Sequence, residues 1–416
     1  MIVDEIIFSD EEKSLYPVGV FPPLGFVPQK MYAWVIREGN LGSVRSAFRE
    51  EIVDVPTIND DEVLIANITA GVNYNGIWAA TGTPINVVRT HERFGNDKSD
   101  FHICGSECCG IVWAVGKNVT DVKVGDRVCV NSIAYEPDSP EIRYGECPPE
   151  YSSTAHIWGY ESNWGSFAQF SKVYGYQCIK KPESFTYAEA ACALGTGATV
   201  YRMLTGWKGN EIHKGSIVLV WGGAGGLGSY AIRLVKAFGG KTVAVVSDDE
   251  KGKWCVENGA VGYINRCKYA HWGSIDGMSG REYQKWLVSA TKFRNHIYSI
   301  IGEKKLPDIV IEHPGSDTLP TSLLVCSTGG MVVLCGATSG YTASVDLRHL
   351  WIYQKRIQGS HSATRDDCER FLRFSEENGL KPDISAIYSW SGVAEAHEML
   401  RCGSNVRGQA VVRIAE

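Results

Sequence analysis

The chain has 416 residues, of which 44% are hydrophobic and 21% charged, and a net charge of −6. That length corresponds to about two or three ordinary domains, so two domains with full cores are expected. The acid excess and the lack of any Lys/Arg run exclude the electrostatic footprint of a nucleic-acid or anionic-membrane binder, which leaves small molecules as expected partners.

The opening "MIVDEIIFSDEEKSLYPVGVFPP" has no basic segment followed by an apolar core, and no window reaches the roughly 20 apolar residues that span a bilayer. No membrane partner and a cytoplasmic location are therefore expected. Residues 1 to about 30, punctuated by proline, should wrap a surface. From there to about 185, short apolar alternations such as "DEVLIANITAGVNYN" and "VKVGDRVCVNSIA", broken by Gly and Asp, predict a mostly β lobe. Within it, "EPDSPEIRYGECPPEYSS" (136–153) reads as a long loop.

The stretch "KPESFTYAEAACALGTGATVYRML" is helical in pattern. After it, "GSIVLVWGGAGGLGSYAIRLVKAFGGKTVAVVSDDEKGKWCVENGAVGYINR" alternates buried strands with amphipathic helices, a βαβαβ unit. "PDIVIEH" and "GGMVVLCG" supply later strands beyond an aromatic and basic insertion at about 266–305. The predicted class is α/β, with a Rossmann doubly wound parallel sheet over 191–356. The mostly β lobe would comprise 1–190, completed by a tail, 357–416, that returns to it.

In "VLVWGGAGGLGSYA", Gly223, Gly225 and Gly228 satisfy G-x-G-x-x-G between a strand and a helix, with Gly226 inside the motif. A tight turn, close approach of backbone to a pyrophosphate and close helix packing each require a missing Cβ, and the helix N-terminus offers amide donors to phosphate. These four glycines are the candidate cofactor cradle. The second strand, "KTVAVVS", ends in Val246 and Ser247, where a cofactor without a 2′-phosphate is usually met by an acid. NADPH is therefore favoured, with Ser247 and Lys251 as candidates for the 2′-phosphate. Asp248 and Asp249 argue the other way, and Lys251 also reads as a solvated helix-start lysine.

A cofactor lobe placed between a β-rich front lobe and a returning tail resembles the medium-chain dehydrogenase/reductase superfamily, whose catalytic lobe is GroES-like. In its zinc alcohol dehydrogenases a G-H-E motif supplies a ligand. Here "ICGSECCG" reads Gly105-Ser106-Glu107, and the other ligand position, in "GVNYNG", is Asn73. Amide and hydroxyl oxygens do not suit zinc, so no metal is expected, and Cys104, Cys108 and Cys109 read as core thiols. The 13 cysteines are an odd, scattered set, expected to be reduced. Without a Lewis acid a simple carbonyl is a hard hydride acceptor, whereas an enoyl thioester takes hydride at its β-carbon and passes charge to an enolate that hydrogen bonds can stabilise.

"GVNYNGIWAATGTP", "HIWGYESNWGSFAQF", "WGGAGGLGSYAIRL", "DIVIEHPG", "TSGY" and "LWIYQKRIQGSH" together resemble the crotonyl-CoA carboxylase/reductase family, from about residue 60 onward. The resemblance implies NADPH-dependent reductive carboxylation of a 2-enoyl-CoA by a homo-oligomer, dimer or tetramer, with CO2 as second substrate. It implies that the Asn75 amide holds a CO2 oxygen, that Glu161 and His361 fix a water, and that the Tyr160 ring shields the reactive carbon from it; an enoyl-thioester reductase that protonates the enolate, and an inactive nucleotide-binding scaffold, are the alternatives. Asn73 is the rival amide, and Glu107 is read as structural or network-forming. Where the family continues Gly-Ser-His with Phe-Ala-Asn, this chain has "SATRDD", which adds charge and opens the question of acyl specificity. Lys292, Arg294 and His296 fall in the family's CoA-handling region and could meet CoA phosphates; an exposed helix accounts for them equally.

Overall fold

A computed structural model describes residues 6–90, 93–94, 97–403 and 407–415. The chain divides into two compact units, one of residues up to Gly195 with Ala363–Glu376 and residues from Ile384 onward, the other of Thr196–Ser362 with Glu377–Asp383. Among the described residues no helix is long and apolar enough to cross a membrane.

The first unit is built on the strand Glu62–Gly71, whose ten residues are all buried. Burial on both faces explains its nearly unbroken apolar run, which a strand with one solvated face would not show. It pairs antiparallel with Cys108–Val115, with Phe170–Tyr174 and, through Thr69–Gly71, with the late strand Gln409–Arg413. Mid-strand, the buried Asn67 donates its amide to the Ala168 carbonyl at 2.9 Å and to the Ser171 hydroxyl at 2.7 Å. A smaller three-stranded sheet places Lys30–Arg37 between Phe48–Asp54 and Phe101–Ile103. The N-terminal segment packs on this unit: Phe21 lies 5.5 Å from the Trp113 ring, and the Trp113 indole donates to the Phe26 carbonyl at 2.7 Å.

The second unit holds six parallel strands in the spatial order Gly262–Asn265, Lys241–Val246, Ile217–Trp221, Ile309–Glu312, Met331–Leu334, Arg356–Gly359. The order reverses beside Ile217–Trp221, which is where such sheets bind nucleotides. Alternate residues of Lys241–Val246 serve opposite faces: Val243 and Val245 pack with Trp286, Phe293 and Ile297, while Ala244 and Val246 pack with Ile232 and Cys255. The insertion folds as a 22-residue helix, Gly280–Ile301, started by a reciprocal Ser279–Glu282 cap and ended by Gly302 at φ +81°. Because Arg356–Gly359 pairs with Met331–Leu334, the chain stays in this unit beyond 357 and re-enters the first at Ala363.

The helical stretch after Lys181 is not one uniform helix. A capped α-turn, Tyr187–Ala191, runs into a π-helical segment, Ala193–Ala198, and then into Thr199–Thr205. The wide turn brings Gly195 against Glu107, whose carboxyl carbon would lie only 2.8 Å from a Cβ at that position. The charges of "SATRDD" are also absorbed locally. Thr364 accepts from the Asp367 amide at 3.0 Å and Asp367 from the Thr364 amide at 3.2 Å, starting the helix Arg365–Glu377, while Arg365 bonds Glu369 and Asp121.

Candidate active site

In the first unit, the helix Tyr74–Thr81 begins directly after the central strand and ends at Gly82, φ +70°. Asn73 occupies its N-cap, yet the side chain makes no capping bond. Instead its amide donates to Glu107 Oε1 at 2.7 Å. An asparagine at this position ordinarily caps with its oxygen, so the bond to the buried Glu107 carboxyl has displaced a common local use. Two residues further on, the half-buried Asn75 donates Nδ2 to the Ser106 hydroxyl at 3.3 Å. Adjacent residues of one turn therefore hold both amides.

That turn is closely confined. Glu107 is fully buried, and its carboxyl carbon would lie 2.6 Å from a Cβ at Gly71. Gly105 has φ +110°, and its amide donates to the Gly159 carbonyl at 3.1 Å while its own carbonyl accepts from Ser166 at 3.0 Å. The turn is thereby stitched to the loop carrying Tyr160 and Glu161. Tyr160 is 8% exposed within an apolar cluster, its ring 6.2 Å from that of Trp78, which in turn lies 5.3 Å from Tyr74. Glu161 accepts the Ile157 amide on Oε2 at 2.7 Å. Asn73, Asn75, Glu107, Tyr160 and Glu161 are thus gathered in one unit around the 105–107 turn. The sequence marks Ser106 only as a lost zinc-ligand position, not as a partner of Asn75, and gives no signal for Trp78 beside Tyr160.

Cys104, Cys108 and Cys109 are buried, and burial pushes each thiol well above its ordinary range. They are core side chains rather than nucleophiles. Among the described residues, no group of three or more His, Cys, Asp or Glu side chains is arranged to hold a metal ion.

In the second unit the glycine turn fits a pyrophosphate. A Cβ at Gly228 would lie 2.6 Å from Gly223 Cα, and one at Gly223 would lie 2.8 Å from Ala244 Cβ, so both positions require glycine for packing. Gly225 caps the helix Gly226–Ala237, whose N-terminal amides receive no side-chain cap. Those unsatisfied donors suit a phosphate. At the end of the next strand Lys251 Nζ donates to the Ser247 hydroxyl at 3.2 Å and lies 3.6 Å from the Asp248 carboxylate. Both nearby acids are already engaged. Asp248 caps its helix by accepting the Lys251 amide at 2.8 Å, and that bond first, then Lys251's charge, holds its carboxyl below the usual range. Asp249 bonds Lys268 and Asn265.

His361, also in the second unit, is exposed just beyond the last parallel strand. Of the basic residues on the long helix, Lys292 is exposed and His296 bonds the Tyr269 hydroxyl at 2.9 Å. Two positions from either, Arg294 is turned about 160° away around the helix, its guanidinium over the Tyr298 ring at 5.9 Å. The three do not converge on one point of the helix surface.

A chain with this parallel nucleotide sheet and this β-rich lobe is a medium-chain dehydrogenase/reductase. Residues 59–183 match the alcohol dehydrogenase GroES-like domain and residues 226–377 the zinc-binding dehydrogenase domain. The crotonyl-CoA carboxylase/reductase of Cereibacter sphaeroides is 41% identical over 99% of this chain and 94% of its own length. Among solved structures, crotonyl-CoA carboxylase/reductase AntE in complex with NADP matches with a TM-score of 0.92 at 42% identity, over 97% of this chain and 99% of that one. The 2-octenoyl-CoA carboxylase reductase CinF in complex with NADP and 2-octenoyl-CoA matches at 0.84 and 32%, over 93% and 88%. This chain belongs to the crotonyl-CoA carboxylase/reductase family.

Proposed function

We propose that the protein reductively carboxylates a 2-enoyl-CoA with NADPH and CO2, giving an alkylmalonyl-CoA. The supporting observation is 41% identity to a crotonyl-CoA carboxylase/reductase over 99% of the chain, joined to a pair of amides held by a buried turn where zinc relatives place metal ligands. Gly223, Gly225, Gly226 and Gly228 would hold the pyrophosphate and Ser247 with Lys251 the 2′-phosphate; bound there, NADPH supplies the hydride that reaches the substrate β-carbon.

The remaining chemistry belongs to the side chains of the first unit and to His361. Asn75 donates an N–H to an oxygen of CO2, holding it for attack by the enolate α-carbon. Capture must outrun protonation, so the site has to deny water to that carbon. The buried Tyr160 ring shields it, and the Glu161 oxygen not spent on Ile157 accepts from a water and keeps it from donating. His361 keeps the water-holding role that the family pattern assigns to it. Lys292, exposed on the long helix, is assigned a CoA phosphate.

Enoyl-CoA and NADPH incubated with labelled bicarbonate test this directly. A labelled alkylmalonyl-CoA is the expected product, and a saturated acyl-CoA without label would replace the proposal with simple enoyl-thioester reduction.

A further inference from the structure

We propose that Ser106 is a positioning residue for the Asn75 amide, and that its hydroxyl sets how large a share of the enolate is carboxylated. The inference rests on the reading that Asn75 holds CO2.

The terminal torsion of an asparagine is broad and roughly two-fold, so an amide on a half-buried helix start does not fix its own N–H direction. Ser106 supplies the missing constraint: it is 4% exposed and accepts Asn75 Nδ2 at 3.3 Å. The residues on both sides of the acceptor are tied down. On one side the Gly105 amide and carbonyl are tied to Gly159 and Ser166 at 3.1 and 3.0 Å. On the other, the Glu107 carbonyl accepts the Gly71 amide at 3.2 Å, and the Glu107 side chain fills the space left by the missing Cβ atoms of Gly71 and Gly195.

An amide has two N–H donors. With one on Ser106, the plane of the group is set and the second is presented without a further ordering cost when CO2 arrives. The neighbouring amide cannot take this part as readily, because Asn73 Nδ2 is committed to Glu107 at 2.7 Å, a shorter contact than the 3.3 Å between Asn75 and Ser106. The two bonds divide the work: Glu107 locks Asn73, and Ser106 aims Asn75. A hydroxyl that only satisfied a buried amide would matter to stability. One that aims the amide must also change what the enolate meets.

The experiment compares full-length Ser106→Ala, Ser106→Thr and Asn75→Leu, with crotonyl-CoA and 2-octenoyl-CoA as substrates, NADPH, and a range of CO2 concentrations. Loss of one neutral hydrogen bond corresponds to about a five-fold effect. The carboxylated-to-reduced product ratio at subsaturating CO2 should fall by about that factor in Ser106→Ala, the KM for CO2 should rise by it, and Ser106→Thr should recover both. A wild-type ratio and CO2 KM in Ser106→Ala, alongside a collapse of carboxylation in Asn75→Leu, would overturn the role of Ser106 alone. An unchanged ratio in Asn75→Leu would overturn the reading of Asn75 beneath it. If the alanine protein does not fold, Ser106→Cys keeps the volume, weakens the acceptor, and must show the same fall.

Discussion

The helix carrying Asn75 rests on a histidine that the fold keeps neutral, and acid should expose this. His397 is fully buried, stacked 4.8 Å from Phe48 and edge-on to Phe167 at 5.1 Å, with Nδ1 donating to the Val393 carbonyl at 2.7 Å. Its Nε2 is buried without a hydrogen-bond partner, facing the position where Gly76 lacks a Cβ. Burial lowers its pKa from 6.5 to about 4, only partly offset by the bond to Val393. The unfolded chain therefore binds the proton more tightly than the native one. The stabilisation is complete above the unfolded value and is lost as pH falls from about 6.5 towards 4, for a total of about 3 kcal/mol and about 2 kcal/mol by pH 5. His397→Phe keeps a ring between Phe48 and Phe167 and removes the titration. In urea unfolding at pH 8 and pH 5, the wild type should lose about 2 kcal/mol more between the two conditions than the variant, since the carboxylates common to both cancel. Equal losses in the two proteins would show that His397 is not held neutral.

Three further outcomes test other contacts. Gly195→Ala drives a Cβ into the Glu107 carboxyl and should cost about 1–3 kcal/mol, read as a lower urea midpoint; an unchanged midpoint would mean the π-helical turn yields freely. Lys251→Ala should weaken NADPH binding about ten-fold or more in a fluorescence titration while leaving NADH nearly unaffected, and equal weakening of both would remove Lys251 from the 2′-phosphate. Glu161→Ala should raise simple reduction relative to carboxylation in the product mass spectrum, with an unaltered ratio arguing against its hold on water.

The nucleotide unit was legible because its signals are local: apolar strands, glycines in a fixed spacing, and a helix starting where the motif demands. The switch in strand order beside Ile217–Trp221 follows from those same segments. Other features depend on distant partners. The π-helical segment Ala193–Ala198 has an ordinary helical pattern and widens where Gly195 meets Glu107, 88 positions earlier in the chain. The basic residues 292–296 look like a cluster when written in a line, but a helical period of 3.6 turns Arg294 away from its neighbours. The charge that "SATRDD" adds after Gly-Ser-His belongs, in the fold, to a helix start, with Thr364 and Asp367 capping each other.

The changed ligand positions carry the chemical argument furthest. A zinc site needs electron-pair donors, and a histidine in G-H-E or a cysteine at position 73 would supply them. Here the groups at Asn73 and Asn75 are turned to give hydrogen bonds, Asn73 to Glu107 and Asn75 to Ser106. Glu107, the residue common to both motifs, keeps its place and acts on an amide. An array that offers N–H groups rather than lone pairs is suited to the oxygens of polarised CO2 or of an enolate, and is poorly suited to a cation. Positions 73 and 106, on two segments that meet in the first unit, thus present hydrogen-bond partners where the zinc pattern presents metal ligands.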